Sequence, residues 1–81
     1  SEERLAYLQE HATVSVDVLD AFQQQLELGR RTLLDVLNAE SELFTARSNL
    51  IAGRYEDLIN QFAILAAQGL LVKSLGIKLN N

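Results

Sequence analysis

The chain has 81 residues, of which 48% are hydrophobic and 22% are charged, and its formal net charge is −4. This size allows one domain at most, and the apolar fraction excludes a disordered chain. The acidic balance argues against nucleic-acid binding, because phosphate neutralisation requires a clustered basic surface. Cysteine is absent, which excludes disulfides and thiolate metal sites. Since the first residue is not methionine, we expect a processed or excised piece of a longer protein.

The first predicted element is a helix over residues 2–28. Residues 13–18 alternate in the manner of a β-strand. The apolar residues around them nevertheless recur at spacings of three, four and seven, which favours a helix. These residues are Leu5, Leu8, Leu19, Phe22 and Leu26.

A turn is predicted at residues 29–32. Gly29 suits the left-handed position that ends a helix. Thr32 suits the N-cap of the next helix, and Asp35 three residues later completes a capping box.

The second predicted helix covers residues 33–68, with Gly69 ending it and a tail over residues 69–81. At ~1.5 Å per residue this helix is on the order of 50 Å long. We expect no membrane-spanning segment, because the longest apolar stretch, Phe62 to Val72, is interrupted by Gln68 and is shorter than the ~20 residues that a bilayer requires.

Two apolar seams run along the second helix with a period of seven. The large-residue seam comprises Leu37, Phe44, Ile51, Leu58 and Leu65, with Leu34, Tyr55 and Phe62 beside them. The small-residue seam comprises Val36, Leu43, Leu50 and Ile64, flanked by Ala39, Ala46, Gly53 and Ala67.

Two polar stripes separate the seams. The mixed stripe is Glu40, Arg47, Arg54 and Gln61, expected to be solvated and salt-bridged, and the acidic stripe is Asp35, Glu42, Asn49 and Glu56. An ordinary surface helix has one apolar face, so two seams indicate a neighbour on each side, as in a tube of helices. The alternative is the central helix of a solid bundle. The predicted fold is therefore all-α, a long antiparallel helical hairpin of the coiled-coil type that associates into a bundle or tube.

An ordered series of residues resembles the TolC-like outer-membrane channel family. It begins Gly29-x-Arg31-Thr32-x-x-Asp35-Val36-Leu37-x-Ala39 and continues through Leu43, Ala46, Leu50, Arg54-Tyr55 and Leu58-Ile59-x-Gln61. The resemblance runs from Glu3 to about Leu70. The upstream pattern Arg4-Leu5-x-Tyr7-Leu8 looks most like members that serve type I secretion.

The resemblance implies a non-enzymatic transport function in type I secretion or efflux. Members are trimers with a β-barrel in the outer membrane and a helical tunnel in the periplasm. This chain looks like the tunnel hairpin of the second repeat, a periplasmic portion of an outer-membrane protein without membrane contact of its own. Its tip would contact a periplasmic adaptor protein, and through it, indirectly, an inner-membrane transporter.

The resemblance also implies roles for single residues. The tip would be Leu28, Gly29, Arg30, Arg31 and Thr32, with Arg31 bonded to a neighbouring hairpin. The pore-lining residues would be Asp35, Asn38, Glu42 and Glu56, and Asn38 stands where members often have a second acid. Three copies of Asp35 in a trimer would form a ring that favours cations.

Other interpretations of the same residues remain open. Asp35 is also a plain capping residue, and Arg31 is also a solvated turn residue. The whole chain is alternatively a stand-alone oligomerisation module, with two hairpins forming a four-helix bundle. The single histidine, His11, has no second histidine to complete a ligand set, so no metal site, cofactor or enzymatic activity is predicted.

Overall fold

The computed structural model describes the backbone of residues 1–80 and the side chains of residues 1–76. Helix α1 spans Glu2–Glu27 and helix α2 spans Leu33–Asn80. They pack antiparallel in a rod of 79 × 16 × 12 Å. The described residues contain no β-strand. The predicted all-α helical hairpin is confirmed, and α1 runs unbroken through the alternating residues 13–18.

Gly29 ends α1 as predicted. Its φ is +73°, the left-handed conformation that costs an L side chain strain and glycine very little. The amide of Arg30 donates to the Gln25 carbonyl at 2.8 Å, and the amide of Gly29 donates to the Leu26 carbonyl at 3.0 Å. This pair of bonds is the Schellman pattern, which satisfies carbonyls that a helix end otherwise leaves without partners.

The capping box at the start of α2 is present. The Asp35 amide donates to the Thr32 hydroxyl at 3.2 Å, and the Thr32 amide donates back to the Asp35 carboxylate at 3.3 Å. The chain therefore reverses between Glu27 and Leu33, over the short segment that the turn residues predict.

The predicted end of α2 at Gln68 was wrong. The helix continues through Gly69 and Gly76 to Asn80, and residue 81 of the predicted tail lies outside the described residues. A glycine ends a helix where the chain turns to positive φ, and Gly29 alone does so among the glycines. Within a helix a glycine costs only about 1 kcal/mol, which the adjoining good helix formers tolerate.

The two helices pack against each other along one seam. In each helix, the residues of this seam follow one another at alternating intervals of three and four positions. From α1 the seam comprises Leu5, Leu8, Ala12, Ser15, Leu19, Phe22 and Leu26, and from α2 it comprises Val36, Ala39, Leu43, Ala46, Leu50 and Gly53. The closest approach involves small residues: Ala46 is fully buried, and a Cβ atom on Gly53 would lie 2.7 Å from Cδ1 of Leu8. The small-residue seam is therefore the face that holds the hairpin together.

The argument for the absence of a membrane-spanning segment needs correction. Within Leu33–Gly76, α2 contains an 18-residue window with a mean hydropathy of 1.4, none of it buried, so by length and composition alone this helix could cross a membrane. The length of the longest unbroken apolar stretch is a poor test for a membrane-spanning helix. The mean hydropathy of a window is a better one, because it tolerates isolated polar residues. Core helices of soluble proteins meet the same criterion, so the hydropathy of α2 does not by itself make it a membrane-spanning helix.

Candidate functional site: the tip and the acidic side of the hairpin

The predicted tip residues lie together at one end of the rod. Leu28 is 69% exposed, and Gly29, Arg30 and Thr32 are also exposed. The next two residues, Leu33 and Leu34, add further exposed apolar surface. A helix end that presents leucines around a rigid glycine turn is suited to contact another protein, because exposed apolar surface in a cluster marks interaction sites.

Arg31 is held within its own hairpin. Its guanidinium carbon lies 3.8 Å from the centre of the Phe22 ring, and its Nε donates to the side-chain oxygen of Gln25. An Nη atom lies 4.0 Å from the Asp35 carboxylate. This side chain therefore ties the last turns of α1 to the first turn of α2. Its predicted bond to a neighbouring hairpin stays a prediction.

Replacing Phe22 by leucine tests this tie. We expect a loss of roughly 0.5–1 kcal/mol of unfolding free energy from the cation–π contact, because both groups are partly exposed. In NMR spectra, the Arg31 Nε–H resonance should move downfield as the ring current disappears. Gln23→Leu, an exposed change on a neighbouring position of α1, should leave that resonance unmoved. An unmoved resonance in the Phe22 variant would show that the contact is absent in solution.

Two of the three acids in the acidic stripe of α2 lie against basic side chains of α1. Glu42 lies 2.9 Å from Nε2 of His11, and Glu56 lies 2.7 Å from Nη1 of Arg4. The sequence analysis predicted the acidic stripe but missed these partners, because only the residues of α2 were grouped by their period of seven. The signal was present: Arg4 and His11 are seven residues apart and therefore share one face of α1. The hairpin thus has an acidic side on which the carboxylates of Glu42 and Glu56 remain exposed.

Asp35 and Asn38 continue this side toward the tip. The Asp35 carboxylate accepts from the Thr32 amide and is half-buried, and Asn38 is exposed. The four predicted pore-lining residues therefore lie along one side of α2, which a single hairpin presents to water. Whether this side lines a pore stays a prediction.

The large-residue seam has no partner in the single hairpin. Its members are between 48% and 74% exposed, with Phe44 the most exposed and Leu58 the least. It lies nearly opposite the small-residue seam on α2, so α1 cannot reach it. The structure thus covers the small-residue seam as far as Gly53, leaves its members Ile64 and Ala67 exposed, and leaves the large-residue seam uncovered along its whole length.

The mixed stripe does not form the expected salt bridges. Among the residues that the structure describes, Arg47, Arg54 and Glu40 take part in no ion pair. Glu40 lies seven residues before Arg47 and fourteen before Arg54, which is too far along the helix for a salt bridge. The neighbouring face of α1 offers Gln9 and Val16 rather than acids. The two arginines therefore remain available to an outside partner. Within the described residues, no group of three or more potential metal ligands converges.

These features define a two-stranded antiparallel coiled coil with an exposed tip and one free apolar seam. Comparison with known proteins finds outer membrane protein TolC of Escherichia coli strain K12, 41% identical over 63 residues that make up 78% of this chain. TolC of Salmonella enteritidis is 43% identical over 53 residues, or 65% of the chain. The chain is therefore TolC-like, and the resemblance inferred from its residues is confirmed.

The matched stretch is a small part of those relatives. It spans 13% of the Escherichia coli protein and 11% of the Salmonella protein. No family model matches the chain, and no solved structure matches it. The similarity therefore concerns this short stretch of TolC and does not extend to a whole channel.

Proposed function

We propose that this chain is a periplasmic tunnel hairpin of a TolC-like, trimeric outer-membrane channel that serves type I secretion or efflux. The observation that carries the proposal is the 41% identity to TolC over 63 residues of a hairpin whose second helix keeps a free apolar seam. A tunnel wall requires a helix with neighbours on two sides, and α2 offers an apolar seam to each. The proposed activity is passive conduction, without chemistry.

The proposed contact with a periplasmic adaptor uses the tip, Leu28 to Thr32. Its exposed leucines supply apolar area, and the Schellman bonds and the capping box hold the turn in one conformation. A rigid apolar projection binds with little loss of conformational entropy, which favours this end of the rod as the docking element. An inner-membrane transporter would be reached only through that adaptor.

A chimera tests this proposal. The matched stretch of Escherichia coli TolC is replaced by this hairpin, and the chimera is expressed in cells that lack their own TolC. We expect a detergent-stable trimer that conducts ions in a planar bilayer. The same chimera with Gly53→Leu, which disrupts the hairpin seam, is the matched control and should fail in both respects. A well-folded chimera trimer that conducts nothing would contradict the tunnel function.

The pore-lining role of Asp35 is tested in the same chimera. Asp35→Asn should lower the preference of the channel for cations over anions, because a ring of three carboxylates concentrates cations. Asn38→Asp should raise that preference by adding a second ring. The measurement is the reversal potential of single channels in a planar bilayer under a salt gradient. Asp17→Asn, an exposed acid of α1, serves as the control. If Asp35→Asn and Asp17→Asn changed the cation preference equally, the pore-lining role of Asp35 would be contradicted.

The free large-residue seam also suits a different function, a stand-alone module that dimerises into a four-helix bundle. In that case two hairpins would bury their large-residue seams against each other. A chimera that fails to assemble, together with an isolated chain that stops at a stable dimer, would favour this alternative.

A further inference from the structure

A groove lined mainly by apolar side chains runs between the two helices on the acidic side of the hairpin. It measures about 200 Å³ and is lined by His11, Val14, Ser15, Val18, Ala39 and Glu42. The α1 residues follow one another at the intervals i, i+3, i+4 and i+7, so they share one face of that helix. Ser15 and Ala39 are small and buried, which leaves an open space between the helices at this level.

Two valines that the hairpin leaves partly exposed form the apolar wall of the groove. Val14 is 46% exposed and Val18 is 38% exposed. An apolar cavity of roughly 150 Å³ binds a molecule of the size of benzene, whereas drug-sized ligands occupy pockets of about 300 Å³ or more. The groove therefore fits one ring or a short alkyl chain, and such a ligand would remove valine surface from water.

Glu42 places a carboxylate at the rim of this groove, and its side chain is 60% exposed. One carboxylate oxygen, Oε1, lies 2.9 Å from Nε2 of His11, and the other has no hydrogen-bond partner among the described residues. The His11 ring is itself stacked on the ring of Tyr7, with 6.0 Å between the ring centres. These contacts hold the carboxylate beside the groove and leave one oxygen available to an ammonium group, which forms strong hydrogen bonds with carboxylates.

The charges around the groove favour a cation over an anion. Asp35 and Glu56 belong to the same stripe as Glu42, and the chain as a whole has a net charge of −4. Arg4, a base on this side of the hairpin, lies 2.7 Å from Glu56 and is engaged there. A ligand with a carboxylate would therefore be repelled from the groove, whereas an ammonium group would be attracted.

From the apolar groove and the carboxylate at its rim we infer that this hairpin binds a small amphiphilic organic cation. The apolar part of the ligand, a single ring or a short alkyl chain, lies against Val14 and Val18, and its ammonium group donates to the free oxygen of Glu42. Apolar burial supplies most of the affinity, because an exposed charge pair adds little, and the carboxylate selects the sign of the charge. The inference concerns the hairpin itself and does not rest on the proposed function.

Titration of the isotope-labelled full chain with protonated phenethylamine, followed by NMR, tests this inference. We expect saturable shifts of the backbone amides of the groove residues, with a dissociation constant in the millimolar range for a ligand of this size. Phenethyl alcohol has the same ring without the charge and should bind about two- to fivefold more weakly. Phenylpropionate, which has the opposite charge, should bind more weakly still. Equal affinities of the three ligands, or shifts that avoid the groove and follow the large-residue seam, would overturn the inference.

Variants of the two parts of the groove separate the charge from the apolar wall. Glu42→Gln should weaken the binding of protonated phenethylamine about two- to fivefold and leave that of phenethyl alcohol unchanged. Glu56→Gln removes a similarly exposed acid of the same stripe outside the groove, so it is the matched control and should change neither affinity. Val14→Asn makes one wall polar and should weaken both ligands, while helicity by circular dichroism persists because this position is exposed. Equal losses with Glu42→Gln and Glu56→Gln would show that the cation responds only to the overall negative charge, which contradicts a site in the groove.

A side chain from another copy of the chain is the competing occupant of the groove. We expect the groove amides to keep their resonance positions when the free chain is diluted, and the ligand affinity to be independent of protein concentration. Groove amides that shift on dilution, and that no longer respond to the ligand at high protein concentration, would assign the groove to a second copy and overturn the inference.

Discussion

Replacing Gly53 by leucine is expected to overpack the contact between the two helices and to lower the melting temperature of the hairpin. A Cβ atom at this position would lie 2.7 Å from Cδ1 of Leu8 and 3.5 Å from Cδ2 of Leu5. Leu8 is 7% exposed, so its side chain has little room to withdraw. Overpacking of this kind costs roughly 1–3 kcal/mol, or about 5–20 °C in a chain of this size.

The matched control is the same substitution at Gly69. No atom lies within 4 Å of a Cβ placed there, and the backbone is helical. Gly69→Leu should therefore raise helicity, since glycine costs about 1 kcal/mol more than a good helix former within a helix. Thermal unfolding followed by circular dichroism distinguishes the two. If Gly53→Leu were also stabilising, helix propensity rather than the close approach would govern this seam.

Replacing Leu43 by alanine is expected to unfold most of the hairpin at 37 °C. Leu43 is 8% exposed and belongs to the small-residue seam, where it is one of the few large side chains that both helices enclose. Its truncation removes apolar burial and leaves a cavity, which costs about 2–5 kcal/mol in a core. A chain of 81 residues has little stability to lose.

The comparison for Leu43 is Leu65, a leucine of the large-residue seam that is 62% exposed. Leu65→Ala should change the free energy of unfolding by less than about 0.5 kcal/mol in dilute solution, as surface substitutions usually do. Urea titrations of both variants at low concentration provide the measurement. Equal losses would mean that the large-residue seam contributes as much to the stability of the hairpin as the small-residue seam does.

Much of the fold could be predicted from the sequence because its signals are local. Gly29, Thr32 and Asp35 determine the turn through backbone conformation and capping, which involve residues only a few positions apart. The same is true of the two seams, since a helix brings residues seven apart onto one face. The end of α2 was missed for a related reason: a glycine such as Gly69 is a stop signal only when the following chain turns away.

Part of the candidate site required contacts between the helices. The pairs His11–Glu42 and Arg4–Glu56 join residues that are far apart in the sequence, and no periodicity within α2 indicates them. The stacking of Arg31 on Phe22 likewise depends on how the turn places α2 beside α1. Because these partners are far apart in the sequence, they are determined by the antiparallel register of the two helices and cannot be predicted from one helix alone.

The sequence by itself determined the hairpin, the position of its tip and the presence of two apolar seams, because helix periodicity and turn chemistry are properties of neighbouring residues. Only the tertiary structure decided which seam lies inside. Gly53, Ala46 and Ala39 let the helices approach closely, so α1 packs on the small-residue seam, while Phe44 and its series remain exposed. Close packing is most favourable on the face that permits the shortest distance between the helices. That distance depends on the side chains of both helices together.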